Sequence, residues 1–269
     1  MITRRWFLGW CFVGMLTACG LASLGPTPNA DVPRAADSII LAVSAAASLG
    51  PALQELGPQW EQETGHRVSL NLGSSGQLAQ QIERGAPVDI FLAANQALID
   101  DLDRAGLIAS DTKAVYGMGR LTLWQRQDSP VAATELADLL KPEVKRVAIA
   151  NPDHAPYGMA AREALQAAGL WEMLQPKLVL GNNVEDARRY AETGNVEVAL
   201  IALALSIGQP GQWTLVPEEL HRPLAQLLAV PKHAPHPQEA RHFAAFLNGP
   251  KGRPIMQKYG FVLPEEPLP

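Results

Sequence analysis

The sequence predicts an α/β protein, and three observations carry that expectation. Short apolar runs at 38–44, 88–92 and 147–150 alternate with segments of helical spacing. Residues 71–91, NLGSSGQLAQQIERGAPVDIF, compress a strand, a polar turn, a helix and a second strand into one stretch. Two successive strand-to-helix turns also end in serine, at Ser48 and at Ser74-Ser75.

The stretch 71–91 organises the rest. Ser74, Ser75 and Gly76 stand where an extended run passes into a helix expected from about 76 to 83, with Leu78 and Ile82 on one face. Gly85 and Pro87 stop that helix, and Val88, Ile90, Phe91 and Leu92 read as a buried strand. A serine at a helix N-cap brings a hydroxyl and unpaired backbone N–H groups together. Such a terminus suits an anion.

The other elements follow in order. Residues 38–44 (SIILAVS) read as the first strand, and Ser48 as the cap of a helix with inner face Leu53, Leu56 and Trp60, ending near Gly65. The alanines up to Ala47 let the backbone turn closely against whatever occupies that mouth. Val68, Leu70 and Leu72 alternate as the second strand. If these strands are parallel neighbours, both serine turns lie at one carboxyl edge of a sheet, where open α/β sheets bind ligands. A helix is expected at about 95–105, an extended passage to another region at 117–125, a helix at 134–140 and a strand at 147–150. Pro152 and Pro156 exclude regular structure from 151–158 (NPDHAPYG), and a helix resumes at Gly158 with Tyr157 at its start. Residues 178–180 form a short strand, and the helix after Val184 carries Glu185 and Asp186 in its first turn. A ligand there meets backbone near Val184 while both carboxylates turn away. The apolar run 196–206 reads as a strand passing into a short helix, 214–216 as a strand, 224–230 as a return crossover, and 239–247 and 251–258 as helices.

The first residues carry export information. A basic head with Arg4 and Arg5 precedes an apolar run at 6–16, and Leu16-Thr17-Ala18-Cys19 closes it. The segment 1–18 resembles a bacterial lipoprotein signal, in which Cys19 becomes the lipidated first residue. Residues 3–8 also resemble a twin-arginine export motif, with Gly9 where that motif usually has lysine. The apolar run is too short to span a membrane as a helix. Cys11 falls inside the signal, so the exported body carries no intrachain disulfide and stands on its core. Residues 19–37, with Pro26, Pro28 and Pro33, read as a flexible tether. Net charge is −5 over the chain. Loss of Arg4 and Arg5 with the leader makes the body more acidic still, which disfavours nucleic acid and anionic membrane as partners.

Four pieces together resemble the periplasmic molybdate-binding protein family, the solute-binding component of molybdate ABC importers. They are Ala45-Ala46-Ala47-Ser48-Leu49, Ser74-Ser75-Gly76 with the run to Pro87, Asn151-Pro152-Asp153-His154-Ala155-Pro156-Tyr157-Gly158, and Lys258-Tyr259-Gly260-Phe261. The resemblance covers residues 38–262. It implies a two-lobed type II periplasmic binding protein fold with two hinge crossovers, one lobe formed by 38–119 and 226–269 and the other by 120–225. It implies that molybdate or tungstate is held between the lobes and delivered to an inner-membrane ABC permease by a periplasmic, lipid-anchored monomer. Carried over by residue, Ser48 and Ser75 offer hydroxyls and N–H groups from the first lobe. Tyr157 and Val184 offer N–H groups from the second, with the Tyr157 hydroxyl as an extra donor. Ser74, Gly76 and Ala47 support them. The tyrosine that many members place later in the chain falls here on Ala202, and Tyr157 compensates for it.

A fully deprotonated oxyanion has acceptors and no proton to donate, so a ring of neutral N–H and O–H groups satisfies it without lysine or arginine. No cofactor and no direct metal-cation site is expected. The six histidines fall in no zinc spacing, and the pair His233 and His236, interrupted by Pro235, reads as a solvated loop. An enzyme is the rival class, but the chain has no Gly-x-Ser-x-Gly elbow and no glycine-rich phosphate loop. Within binding proteins the alternatives are sulfate or another oxyanion, or a lipid-anchored assembly factor that has given up transport.

Overall fold

The computed structural model describes residues 38–264. The signal at 1–18, the lipidation site Cys19, the tether 19–37 and the tail 265–269 lie outside the described residues.

The first lobe is built on a five-stranded sheet ordered β2-β1-β3-β10-β4. Its β1 (Ile40–Ala46) runs parallel to both β2 (Arg67–Gly73) and β3 (Ile90–Ala93). Helix α1 (Gly50–Thr64) connects β1 to β2 and buries Leu53, Leu56 and Trp60, as the spacing predicts. Helix α2 (Ser75–Glu83) connects β2 to β3 and buries Leu78, Ala79 and Ile82. Because β1 and β2 are parallel neighbours in register from Ile40↔Arg67 to Ala46↔Gly73, the two serine turns do share one sheet edge. Helix α3 (Gln96–Arg104) starts at an Asn95 cap whose side chain accepts the Ala97 N–H at 2.7 Å, and leads into β4 (Ala114–Gly119).

The expected extended passage at 117–125 is two strands in different sheets. β4 ends at Gly119 and β5 (Leu121–Arg126) begins the second lobe, with Arg120 between them. The second sheet is ordered β7-β6-β8-β5-β9 and repeats the plan of the first. Strand β6 (Val147–Ala150) is parallel to its neighbours β7 (Leu178–Gly181) and β8 (Val198–Ala202), while β5 runs antiparallel beside β8. In the first sheet the antiparallel place is taken by β10 (Leu224–Ala229), which enters after the second lobe is complete. Thus the strands that adjoin the two crossovers, β5 and β10, occupy equivalent positions.

In the second lobe α4 (Pro156–Ala167) follows β6, the single turn α5 (Trp171–Leu174) precedes β7, and α6 (Val184–Glu192) follows β7. The turn α7 (Leu203–Ser206) follows β8, and β9 (Gly211–Leu215) closes the sheet, earlier than its expected start at 214. Helices α8 (Pro237–Asn248) and α9 (Gly252–Lys258) return to pack on the first lobe. The buried Asp89 binds this return to the sheet: its carboxylate accepts the Ala42 N–H and the His236 N–H, each at 2.7 Å. His236, read from sequence as solvated loop, therefore anchors the approach to α8. Its ring nitrogen is also 3.2 Å from Asp89.

The helix expected at 134–140 is a 3₁₀ turn, 136–140, started by a capping box between Glu135 and Asp138. The Lys141 ammonium, with the N–H groups of Thr134 and Glu135, holds the Asp138 carboxyl down to about 2, from an ordinary 3.8. A carboxyl depressed in the folded state contributes stability above its unfolded value and loses it as pH falls through the folded one. The stability difference between wild type and Asp138→Asn is expected to be on the order of 2 kcal/mol at neutral pH. Urea titrations at successive pH values are expected to show that difference shrink below pH 3.8 and vanish near 2.

Candidate functional site

The structure brings Ser48, Ser75, Tyr157 and Val184 to one small cavity, with Ala47 and Ser74 in its wall. Both lobes contribute, and no lining residue is charged. The cavity leaves about 10 Å³ open to the centre of a water-sized sphere. That is about the space of one water, so the walls stand close around it, whereas pockets for organic ligands run to roughly 300 Å³ and more.

Each wall residue arrives by a distinct local route. Ser48 is not a helix cap, contrary to the expectation. It sits inside a 3₁₀ turn, 47–49, and α1 starts only at Gly50, where Pro51 suits the first turn. The Ser48 hydroxyl is fully buried and makes no hydrogen bond of normal geometry, although the Tyr157 phenol lies beside it. A buried hydroxyl left unpaired costs about 1–3 kcal/mol, which makes Ser48 the group in this wall most in need of a ligand. Ser75 is the first residue of α2, and its Oγ accepts the Ala94 N–H at 3.0 Å. With its acceptor side engaged, its proton is free to point into the cavity.

The second lobe offers backbone. Pro156 opens α4 without an N–H of its own and Ala155 supplies no side-chain cap, so the Tyr157 N–H is an unpaired donor of the first turn. At α6, the Asn183 side chain accepts from Glu185 N at 2.9 Å and Asp186 N at 3.0 Å. The cap satisfies the second and third positions and leaves the Val184 N–H. The Glu185 carboxylate is held by Arg188 at 2.7 Å and 3.0 Å. The positive ends of α2, α4 and α6 thus converge on a space free of countercharge.

The Tyr157 phenol is buried, which pushes its pKa up, against the opposing influence of Gln226 and the nearby Ser48 hydroxyl. It stays a neutral O–H donor. Its oxygen accepts the Gln226 Nε2–H at 2.9 Å, a bond that reaches from the second lobe to β10 of the first. Gly119 makes this approach possible: a Cβ there would lie 2.2 Å from the phenol oxygen and 2.3 Å from Gln226 Nε2. Ala202 is buried at the end of β8 and does not line the cavity.

Ser74 and Gly76 hold the lobes together. Ser74 caps no N–H of α2; its Oγ donates instead to the His154 carbonyl at 2.6 Å, and the Gly76 N–H donates to the same oxygen at 3.1 Å. His154 Nδ1 lies 2.9 Å from Ser74 Oγ, whose proton is already committed, so Nδ1 is the donor in that contact. The sequence shows His154 only as part of the irregular stretch 151–158, and no side-chain pattern there signals this clamp, because it works through a main-chain oxygen. Gln226 is likewise not among the expected site residues, although a signal exists: one amide in the apolar run 224–230, LAQLLAV. Among the described residues no three histidine, cysteine or carboxylate side chains gather as a metal site.

Comparison with known proteins agrees with this geometry. Residues 41–262 match the family of bacterial extracellular solute-binding proteins. The molybdate-binding protein ModA of Rhodobacter capsulatus is 34% identical over 245 residues, which cover 90% of this chain and 95% of that protein. A putative ABC transporter substrate-binding lipoprotein of Bacillus subtilis, YvgL, is 31% identical over 93% of this chain and 96% of its own length. The solved periplasmic molybdate-binding protein of Azotobacter vinelandii superposes with a TM-score of 0.79 at 30% identity, covering 84% of this chain and all of that one. The chain therefore belongs to the bacterial extracellular solute-binding protein family, and within it to the periplasmic molybdate-binding proteins.

Proposed function

We propose that the protein captures molybdate, with tungstate as an equivalent occupant, in the cavity between its lobes and delivers it to an ABC permease. The observation that carries this reading is the buried, unpartnered Ser48 hydroxyl in a wall made of neutral donors and no charge. Ser48 and Ser75 supply hydroxyl donors, Tyr157 and Val184 supply N–H groups, and the Tyr157 phenol adds one more. A tetrahedral dianion accepts from all of them. A protonated oxyanion has a hydrogen to place and meets donors on every side, so it is disfavoured. Ala47, Ser74 and Gly76 support the site by letting the chain approach and by joining the lobes.

Residues 38–119 with β10 and the helices after it, and the residues between, act as the two bodies that open and close about the crossovers; β10 pairs in the first sheet from Leu224, two residues before the expected boundary at 226. Gly119, Arg120 and the segment 216–223 are the places where the chain bends. Cys19 carries the lipid anchor, a reading supported by its position after Leu16-Thr17-Ala18 and by the similarity to a relative described as a lipoprotein. No catalytic role is assigned to any residue.

Competition calorimetry on the exported domain, stripped of anion, with molybdate, tungstate, sulfate and phosphate tests the assignment. One-to-one binding of molybdate and tungstate alone is the expected outcome; sulfate selectivity would move the assignment to another oxyanion, and no binding at all would favour an assembly role. Ser48→Ala removes a charge-assisted hydrogen bond worth about 1.5–3 kcal/mol and is expected to weaken molybdate binding roughly 10- to 100-fold. Thermal unfolding of the anion-free domain is expected to shift upward by a few degrees, because the variant no longer buries an unpaired hydroxyl.

Closure is tested separately at Gly76. A Cβ there would lie 2.5 Å from the His154 carbonyl oxygen, which the backbone of the other lobe holds in place. Gly76→Ala is expected to keep the lobes apart. Small-angle scattering is the check: the wild type contracts on adding molybdate, whereas the variant retains its larger radius of gyration and binds at least tenfold more weakly.

A further inference from the structure

Gln226 is fully buried on β10, beside a bulge in its pairing with β4, and its amide lies between two phenols. Nε2 is 2.9 Å from the Tyr157 hydroxyl, and Oε1 is 3.0 Å from the Tyr116 hydroxyl. Tyr116 is in turn 3.1 Å from the carbonyl of Ala93, and the next residue, Ala94, lines the cavity and donates its N–H to Ser75. A chain of hydrogen bonds therefore runs behind the cavity from the second lobe, through the sheet of the first, to the strand that positions Ser75.

Proton counting gives this chain two arrangements. A phenol has one proton, and its oxygen can accept another group's. In the arrangement seen, Nε2–H occupies the acceptor side of Tyr157 and leaves the Tyr157 proton free to point away from Gln226. Tyr116 then has one proton between two acceptors, Gln226 Oε1 and Ala93 O. With the amide turned over, Nε2–H donates to Tyr116, Tyr116 donates to Ala93 O, and Oε1 takes the proton of Tyr157. Both arrangements keep the same heavy-atom positions, with the amide nitrogen and oxygen exchanged. They differ in what the phenol presents to the Ser48 hydroxyl in the cavity wall: a proton in the first and a lone pair in the second.

We infer that Gln226 is a positioning residue for the bound anion: its amide sets the direction of the Tyr157 hydroxyl proton, and the orientation in which Nε2 faces Tyr157 selects for an oxyanion that has no proton of its own. This rests on the cavity being the oxyanion site. An anion with only acceptors interacts better with the first arrangement and draws the amide into it; a ligand of equal affinity for both would shift nothing. An oxyanion bearing a hydrogen fits the second, in which Tyr157 accepts. Gly119 is part of the device, since any side chain there would displace both the phenol and the amide.

The test is a double-mutant cycle on the full exported domain, read by calorimetry with sodium molybdate and sodium phosphate. Gln226→Met keeps length and removes the donor. It is expected to weaken molybdate binding about tenfold in the wild-type background and less than twofold in the Tyr157→Phe background, because the amide acts through the phenol proton. Phosphate, which the wild type is expected not to bind, is expected to compete measurably with molybdate in Gln226→Met alone. If that variant does not fold, Gln226→Glu completes the cycle: a carboxylate accepts from both phenols, withdraws the Tyr157 proton and is expected to cost at least as much. Equal losses in both backgrounds would make Gln226 a merely structural residue and overturn the inference, as would an unchanged affinity in Gln226→Met. Wild-type protein that binds neither anion would overturn the assignment of the cavity and this inference with it. Wild-type binding with an additive cycle would overturn the inference alone.

Discussion

A cavity that offers only neutral donors imposes one constraint on everything around it: every donor must be aimed before the ligand arrives. There is no long, mobile cation to swing in and correct a poor fit. The hydroxyl of Ser48 is held in a tight turn ahead of α1, and that of Ser75 is fixed by the Ala94 N–H. The N–H groups of Tyr157 and Val184 are set by the first turns of α4 and α6. Removing water from such groups is costly unless something replaces its hydrogen bonds. The unpartnered Ser48 Oγ shows that cost already incurred within the protein wall.

The same constraint explains why one contact between the lobes centres on a main-chain oxygen. His154 offers its carbonyl to both the Gly76 N–H and the Ser74 hydroxyl. Close approach then becomes the requirement, and Gly76 and Gly119 meet it by lacking a Cβ. The ion pair of Arg222 with Glu163 adds a grip of a different kind, joining the segment before β10 to the helix that carries Tyr157. Thus the donor from the second lobe is steadied both at the cavity and at the crossover.

Much of this architecture was legible in the residues. The spacing of Leu53, Leu56 and Trp60 defined the inner face of α1, and the alternation of Val68, Leu70 and Leu72 defined β2. Pairing of the serine turns on one sheet edge followed once β1 and β2 were parallel. What escaped was local competition between similar signals. Ser48 looks like a cap, but Pro51 moves the start of α1 past it. The run 117–125 looks like one strand, but Gly119 and Arg120 break it between two sheets. The return of β10 beside β3, and with it the placement of Gln226, depends on tertiary topology that no local pattern encodes. His236 and His154 were underestimated because their partners, Asp89 and Ser74, are 147 and 80 residues away.

The wall of neutral donors also separates how firmly an anion is held from how quickly it is found. Fields from helix ends fade within about a turn, and the cavity contributes no net charge to the surrounding solution. The chain as a whole is acidic, with a net charge of −5. An approaching dianion is therefore repelled until it reaches the cleft, and capture proceeds against the long-range field of its own receptor. Dissolved salt shortens that repulsion to a Debye length of about 8 Å at physiological ionic strength. Added salt thus quickens capture here, opposite to its effect on anion receptors that recruit with lysine and arginine.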